Sequence, residues 1–203
     1  MANKILVKVN SVGNLTDARY FAAHDVEWMG YCFDPSSPNF IQLPTAKGII
    51  DWVVGPKVVA EFSNQPHDEI QQVIEYTNPD FVQLPSTFSI SDFNFLKPLM
   101  VQISFSEIRN IESELMKWKD RANIFILNAD YRAFSSDDLK TLSLKFQFLI
   151  SSTGADKNIL PAIQHSGAIG IYIDGGSEEK TGIKNYEEMD ELFESIRAGI
   201  SNT

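Results

Sequence analysis

Eight short runs rich in β-branched and aromatic residues alternate strictly with segments of helical periodicity, and this order constrains the fold more than any single motif does. The strand-like runs cover residues 5–9, 27–33, 57–62, 80–84, 99–104, 123–127, 147–150 and 169–173. Several are nearly continuous in apolar character, as expected of strands covered on both faces. Helical segments are expected at 15–23, 45–53, 68–76, 92–96, 107–117, 136–142, 157–165 and 186–197. Their start signals agree: Asn14 or Thr16 can cap the first, Pro66 precedes the third, and Ser106 with Glu107 opens the fifth.

Eight βα units in 203 residues leave about 25 residues each, near the lower limit for a closed barrel of this kind. The expected fold class is therefore α/β, a small and trimmed (β/α)8 TIM barrel forming one domain over residues 1–203. The alternative is an open doubly wound sheet, which usually carries a glycine-rich turn after its first strand. Here Val9-Asn10-Ser11-Val12-Gly13-Asn14 has a single glycine.

Composition narrows the partners. With 43% hydrophobic and 22% charged residues the chain is globular rather than disordered. Seventeen Lys and Arg against 27 Asp and Glu give a net charge of −10, which disfavours nucleic acid and anionic membranes. Cys32 is the only cysteine, so a disulfide framework and a cysteine-rich zinc site are excluded and a reducing compartment fits. The first residues lack the apolar core of a signal peptide, and no apolar run approaches the roughly 18 residues of a membrane span. A cytoplasmic location is expected.

In a barrel of parallel strands the chemistry sits on the residues just after each strand. Several of those segments, in order and at matching separations, resemble the phosphoribosylanthranilate isomerase family of tryptophan biosynthesis. Val7-Lys8-Val9 followed by Asn14-Leu15-Thr16-Asp17-Ala18 is similar to the family's first strand and helix start, and Gly30-Tyr31-Cys32-Phe33-Asp34-Pro35-Ser36-Ser37-Pro38-Asn39-Phe40-Ile41 to its second strand and loop. Glu61-Phe62-Ser63-Asn64-Gln65-Pro66, Asp80-Phe81-Val82-Gln83-Leu84 and the segment from Gly175-Gly176 to Gly182-Ile183-Lys184 extend the likeness over nearly the whole chain.

The resemblance implies an Amadori isomerisation that needs a general acid to open a ribose ring and a general base to take a proton from the adjacent carbon. The family's base, a cysteine, corresponds to Asn10, and its acid, an aspartate, to Asn128. An amide cannot exchange a proton in the accessible pH range, so little or no such activity is expected. A bulge in the sixth strand could instead bring Asp130 to the acid position. Asn39, Pro85 and Gln102 stand where the family has a basic residue, a histidine and a lysine, and Tyr131-Arg132-Ala133-Phe134 replaces a glycine-rich loop.

Phosphate binding is expected at Ser152, Thr153 and Gly154 after the seventh strand and at Asp174, Gly175, Gly176 and Ser177 after the eighth, where backbone N–H groups can approach an anion. The implied partner is a small phosphorylated metabolite, with no cofactor and no metal. Two further readings stay open: a binding or regulatory protein for a small sugar phosphate, or an enzyme repurposed to use Glu61, Asp130 or Asp174, with Asp34 a further carboxylate at a strand end.

Other residues have plainer readings. Cys32 reads as a small buried hydrophobe, and His24, His67 and His165 as structural or solvated residues without ligand spacing or a convergent acidic partner. Glu187, Glu188, Asp190, Glu191 and Glu194 read as the solvated face of the last helix.

Overall fold

The structure, a computed structural model, describes residues 4–89, 97–104, 111–152, 156, 158–175 and 186–201, with the backbone alone for 199–201. Eight parallel strands close in sequence order: β1 (Leu6–Asn10), β2 (Trp28–Cys32), β3 (Lys57–Glu61), β4 (Phe81–Pro85), β5 (Leu99–Ser104), β6 (Ala122–Asp130), β7 (Phe148–Ser151) and β8 (Gly170–Asp174). Pairing of β1 with β8, from Leu6 opposite Gly170 to Asn10 opposite Asp174, completes the ring. Between the strands run α1 (Leu15–Ala23), α2 (Leu43–Trp52), α3 (His67–Thr77), α4 (Ile111–Lys117), α5 (Ser136–Ser143) and α6 (Ile159–Ser166), and α7 (Glu187–Ser201) ends the described chain. The helix expected at 92–96 lies outside the described residues.

Alternation along each strand divides the apolar residues into two bodies. The inner one, around Trp28, Val59, Met100, Ile126 and Leu149, fills the barrel. The outer one joins strands to helices through residues such as Val9, Phe21, Ile70, Leu127, Ile150 and Leu192. Each such side chain contributes about 1.5–3 kcal/mol when fully buried.

Helix ends follow local chemistry. Asn14 caps α1 by accepting the Asp17 N–H at 2.9 Å. Pro66 leads into α3, which carries Asp68 and Glu69 in its first turn and buries Ile70 and Ile74 on one face. Gly167 ends α6 with φ +71°, a left-handed conformation open to glycine.

Two expectations need correction. The sixth strand runs to Asp130 rather than ending at Leu127, because a bulge between Leu127 and Asp130 interrupts the alternation from which its end was read. His24, expected to lack an acidic neighbour, has Nε2 3.4 Å from Asp190 Oδ1 of α7 and accepts a hydrogen bond from Arg197 Nη2 at 2.8 Å, with its ring stacked on Phe193. Sequence proximity could not reveal this contact, since α1 and α7 meet only through closure of the ring. The other acidic side chains of α7 face solvent.

Candidate active site

Residues two apart on a strand share a face. Lys8 and Asn10 of β1 both turn inward, with Asn10 at the mouth and Lys8 one layer beneath it. Lys8 is wholly buried, and its ammonium donates to Glu61 Oε1 at 2.6 Å and to Asn10 Oδ1. Burial pushes the Lys8 ammonium pKa down, against the opposing pull of Glu61 and, more weakly, Asp174. The other oxygen of Glu61 accepts from the Ser11 N–H at 3.0 Å and the Ser11 hydroxyl at 3.2 Å. That contact holds Ser11 in a left-handed turn, φ +53°, where the chain leaves β1. Gly30 of β2 leaves open the space through which the Glu61 side chain reaches Lys8.

Across the mouth, the Tyr172 hydroxyl of β8 donates to Asn128 Oδ1 of β6. Burial raises the Tyr172 phenol to about 12, so it stays a donor at neutral pH. Asn128 pairs in register with Ser104 of β5, and the bulge then sets Asp130 opposite Ser151. Asp130 takes a two-pronged ion pair from Arg132, with 2.8 Å to Nε and 2.7 Å to Nη2, and accepts the Arg132 N–H at 2.9 Å. Those hydrogen bonds hold its carboxyl below the usual range. The bulge thus brings Asp130 to the rim but leaves it facing Arg132.

Asp34 at the end of β2 accepts from the Ser36 N–H at 2.9 Å and the Ser36 hydroxyl at 2.7 Å. Hydrogen bonds from Ser63 and Ser36 lower its pKa. Cys32 is buried, and burial raises its thiol. Asp174 stands exposed at the end of β8, opposite Asn10.

At the expected phosphate end, the Ser152 N–H donates to Tyr172 O at 3.1 Å and the Gly175 N–H to Asn10 O at 3.0 Å. Both amides therefore bind barrel carbonyls and are not free donors for an anion. Thr153, Gly154, Gly176 and Ser177 lie outside the described residues. Among the described residues no group of three or more His, Cys, Asp or Glu side chains could hold a metal ion, and no helix is long and apolar enough to cross a membrane.

The sequence reading found Asn10, Glu61, Asn128, Asp130 and Asp174 but missed Lys8, Gly30 and Tyr172 as parts of the site. The signal for Lys8 was present: a charge two positions before Asn10 in an otherwise apolar strand has to face inward with it.

The family model for N-(5'phosphoribosyl)anthranilate (PRA) isomerase matches residues 7–195. N-(5'-phosphoribosyl)anthranilate isomerase of Leptospira borgpetersenii serovar Hardjo-bovis (strain JB197) is 22% identical over 97% of this chain and 97% of its own. That of Wickerhamomyces anomalus is 24% identical over 94% of this chain and 99% of its own. Among solved structures, the phosphoribosyl anthranilate isomerase from Thermotoga maritima superposes with a TM-score of 0.80 at 18% identity, covering 96% of this chain and 99% of that one. A crystal structure of phosphoribosyl anthranilate isomerase in complex with reduced 1-(o-carboxyphenylamino)-1-deoxyribulose 5-phosphate gives the same TM-score of 0.80 at 19% identity and the same 96% and 99% coverage. At these identities the structural likeness speaks for the fold alone.

Proposed function

The chain belongs to the N-(5'phosphoribosyl)anthranilate isomerase family, and from that membership we propose a barrel that keeps a ligand-holding mouth but catalyses little or no Amadori isomerisation. The observation that carries this reading is the engagement of both amides at the positions where the resemblance implies proton carriers. Asn10 accepts from Lys8, and Asn128 accepts from Tyr172. An amide so held can orient a hydroxyl or a water, but it cannot deliver or remove a proton.

Nearby carboxylates support the same reading. Asp130 is neutralised by Arg132, Asp34 is satisfied by serines, and both oxygens of Glu61 are occupied. The ligand in this reading is a small phosphorylated metabolite whose phosphate lies toward the loops after β7 and β8, at Thr153, Gly154, Gly176 and Ser177. Backbone amides on those loops would supply its donors. One observation favours a second reading, a repurposed enzyme: Asp174 is exposed at the mouth beside Asn10 and acts electrostatically on Lys8.

Single-turnover and steady-state assays with freshly generated phosphoribosylanthranilate test the proposal on the wild type, Asn10→Cys, Asn128→Asp and the double variant. Silence in the wild type with activity in the double variant is the expected result. Wild-type turnover on the order of 1–10³ per second would overturn it.

A further inference from the structure

Glu61 and Gln83 stand opposite one another on β3 and β4, yet their polar ends are served differently. Both carboxylate oxygens of Glu61 have donors. Gln83 is 5% exposed and donates Nε2 to Gln102 Oε1 at 2.8 Å. Its own Oε1 is buried and meets no donor among the described residues. Buried side-chain oxygens in folded proteins are nearly always partnered by protein, ordered water or ligand, because losing water without replacement is unfavourable. Gln102 is only half-buried, so the amide pair borders the solvent side of the barrel.

Charge selects what can fill this place. Glu61 stands beside Gln83 on the adjoining strand, Asp34 follows the end of the strand beyond, and the Lys8 ammonium is already engaged by Glu61 and Asn10. An anionic group here would meet like charge and a second acceptor. A hydroxyl or an N–H supplies the missing donor without either penalty.

We propose that the Gln83–Gln102 amide pair is a ligand subsite that accepts a hydrogen bond from an uncharged donor, such as a sugar hydroxyl, and rejects an anionic group. The proposal rests on reading the C-terminal ends of the strands as a ligand-binding mouth, and it names the chemistry of one end of that ligand.

Calorimetric titration of the full chain with ribose 5-phosphate, and in parallel with inorganic phosphate, tests it on the wild type, Gln83→Met and Gln102→Met. Methionine is similar in size and offers no amide. Ribose 5-phosphate should bind Gln83→Met about tenfold more weakly, the worth of one hydrogen bond. Inorganic phosphate should bind unchanged, and the thermal midpoint should move little, since loss of the hydrogen bond to Gln102 is offset by removal of an unpartnered buried carbonyl. A merely structural role would lower the midpoint and weaken both probes together, which overturns the proposal. Gln102→Met, at the more open position, should also weaken ribose 5-phosphate selectively and decides the matter should Gln83→Met not fold. Wild-type binding of ribose 5-phosphate that neither variant changes overturns the subsite and leaves the ligand-binding mouth standing. No binding of either probe to the wild type overturns both.

Discussion

A Cβ on Gly30 would lie 1.7 Å from Glu61 Oε1, so the carboxylate that neutralises Lys8 occupies the room a side chain at position 30 would need. The two positions are one unit: a bare β2 at this level is the condition for a carboxylate on β3 to cross to β1.

Gly30→Ala should therefore destabilise the fold by about 2–4 kcal/mol, through overpacking and displacement of a buried charge. In a Glu61→Ala background the same change should cost less than about 1 kcal/mol, because the colliding atoms are gone. A double-mutant cycle by urea denaturation reads the difference.

Lys8→Met alone should cost about 3–5 kcal/mol, since it leaves a buried carboxylate without its cation. Lys8→Met with Glu61→Leu should recover most of that loss. Comparable destabilisation in the single and double variants would contradict the pairing.

The acid limb of stability should depend on Asp34. Its folded pKa is depressed by hydrogen bonds from Ser63 and Ser36. Its stabilisation is thus complete above the unfolded value of about 3.9 and lost as pH falls through the folded one. Asp34→Asn should be less stable at pH 7 and show a shallower decline below about pH 4, measured as thermal midpoint against pH.

Tyr172→Phe should cost about 0.5–1.5 kcal/mol, the net worth of its bond to Asn128. With that donor removed, the Asn128 side-chain amide resonances should broaden or shift in ¹H–¹⁵N spectra while the barrel amides stay in place.

The barrel was legible because the strands read as short, mostly apolar runs that alternate in order with segments of helical period. Seven of the strands end within a residue of where that pattern put them. Only β6 departs by more, since the residues from Asn128 onward mix polar and small side chains and the bulge leaves no alternation to follow. Helix α2 begins at Leu43, two residues early, with Pro44 in its first turn, a start signal that was present but unused. The site was legible as a set of polar positions, not as a network. Whether Glu61 meets Lys8 depends on the stagger between neighbouring strands and on empty space at Gly30, and neither is written in any local run of residues.

The bulge in β6 has a consequence for which carboxylate can stand at the mouth. A slip of two residues preserves which side chains face in and which face out, so drawing the bulge through β6 would seat Asp130 in the place of Asn128 without turning one apolar residue into water. What holds Asp130 at the rim is the grip of Arg132, a solvent-exposed arginine. A re-pairing of strands would thus bring to this mouth a carboxylate that the chain already carries.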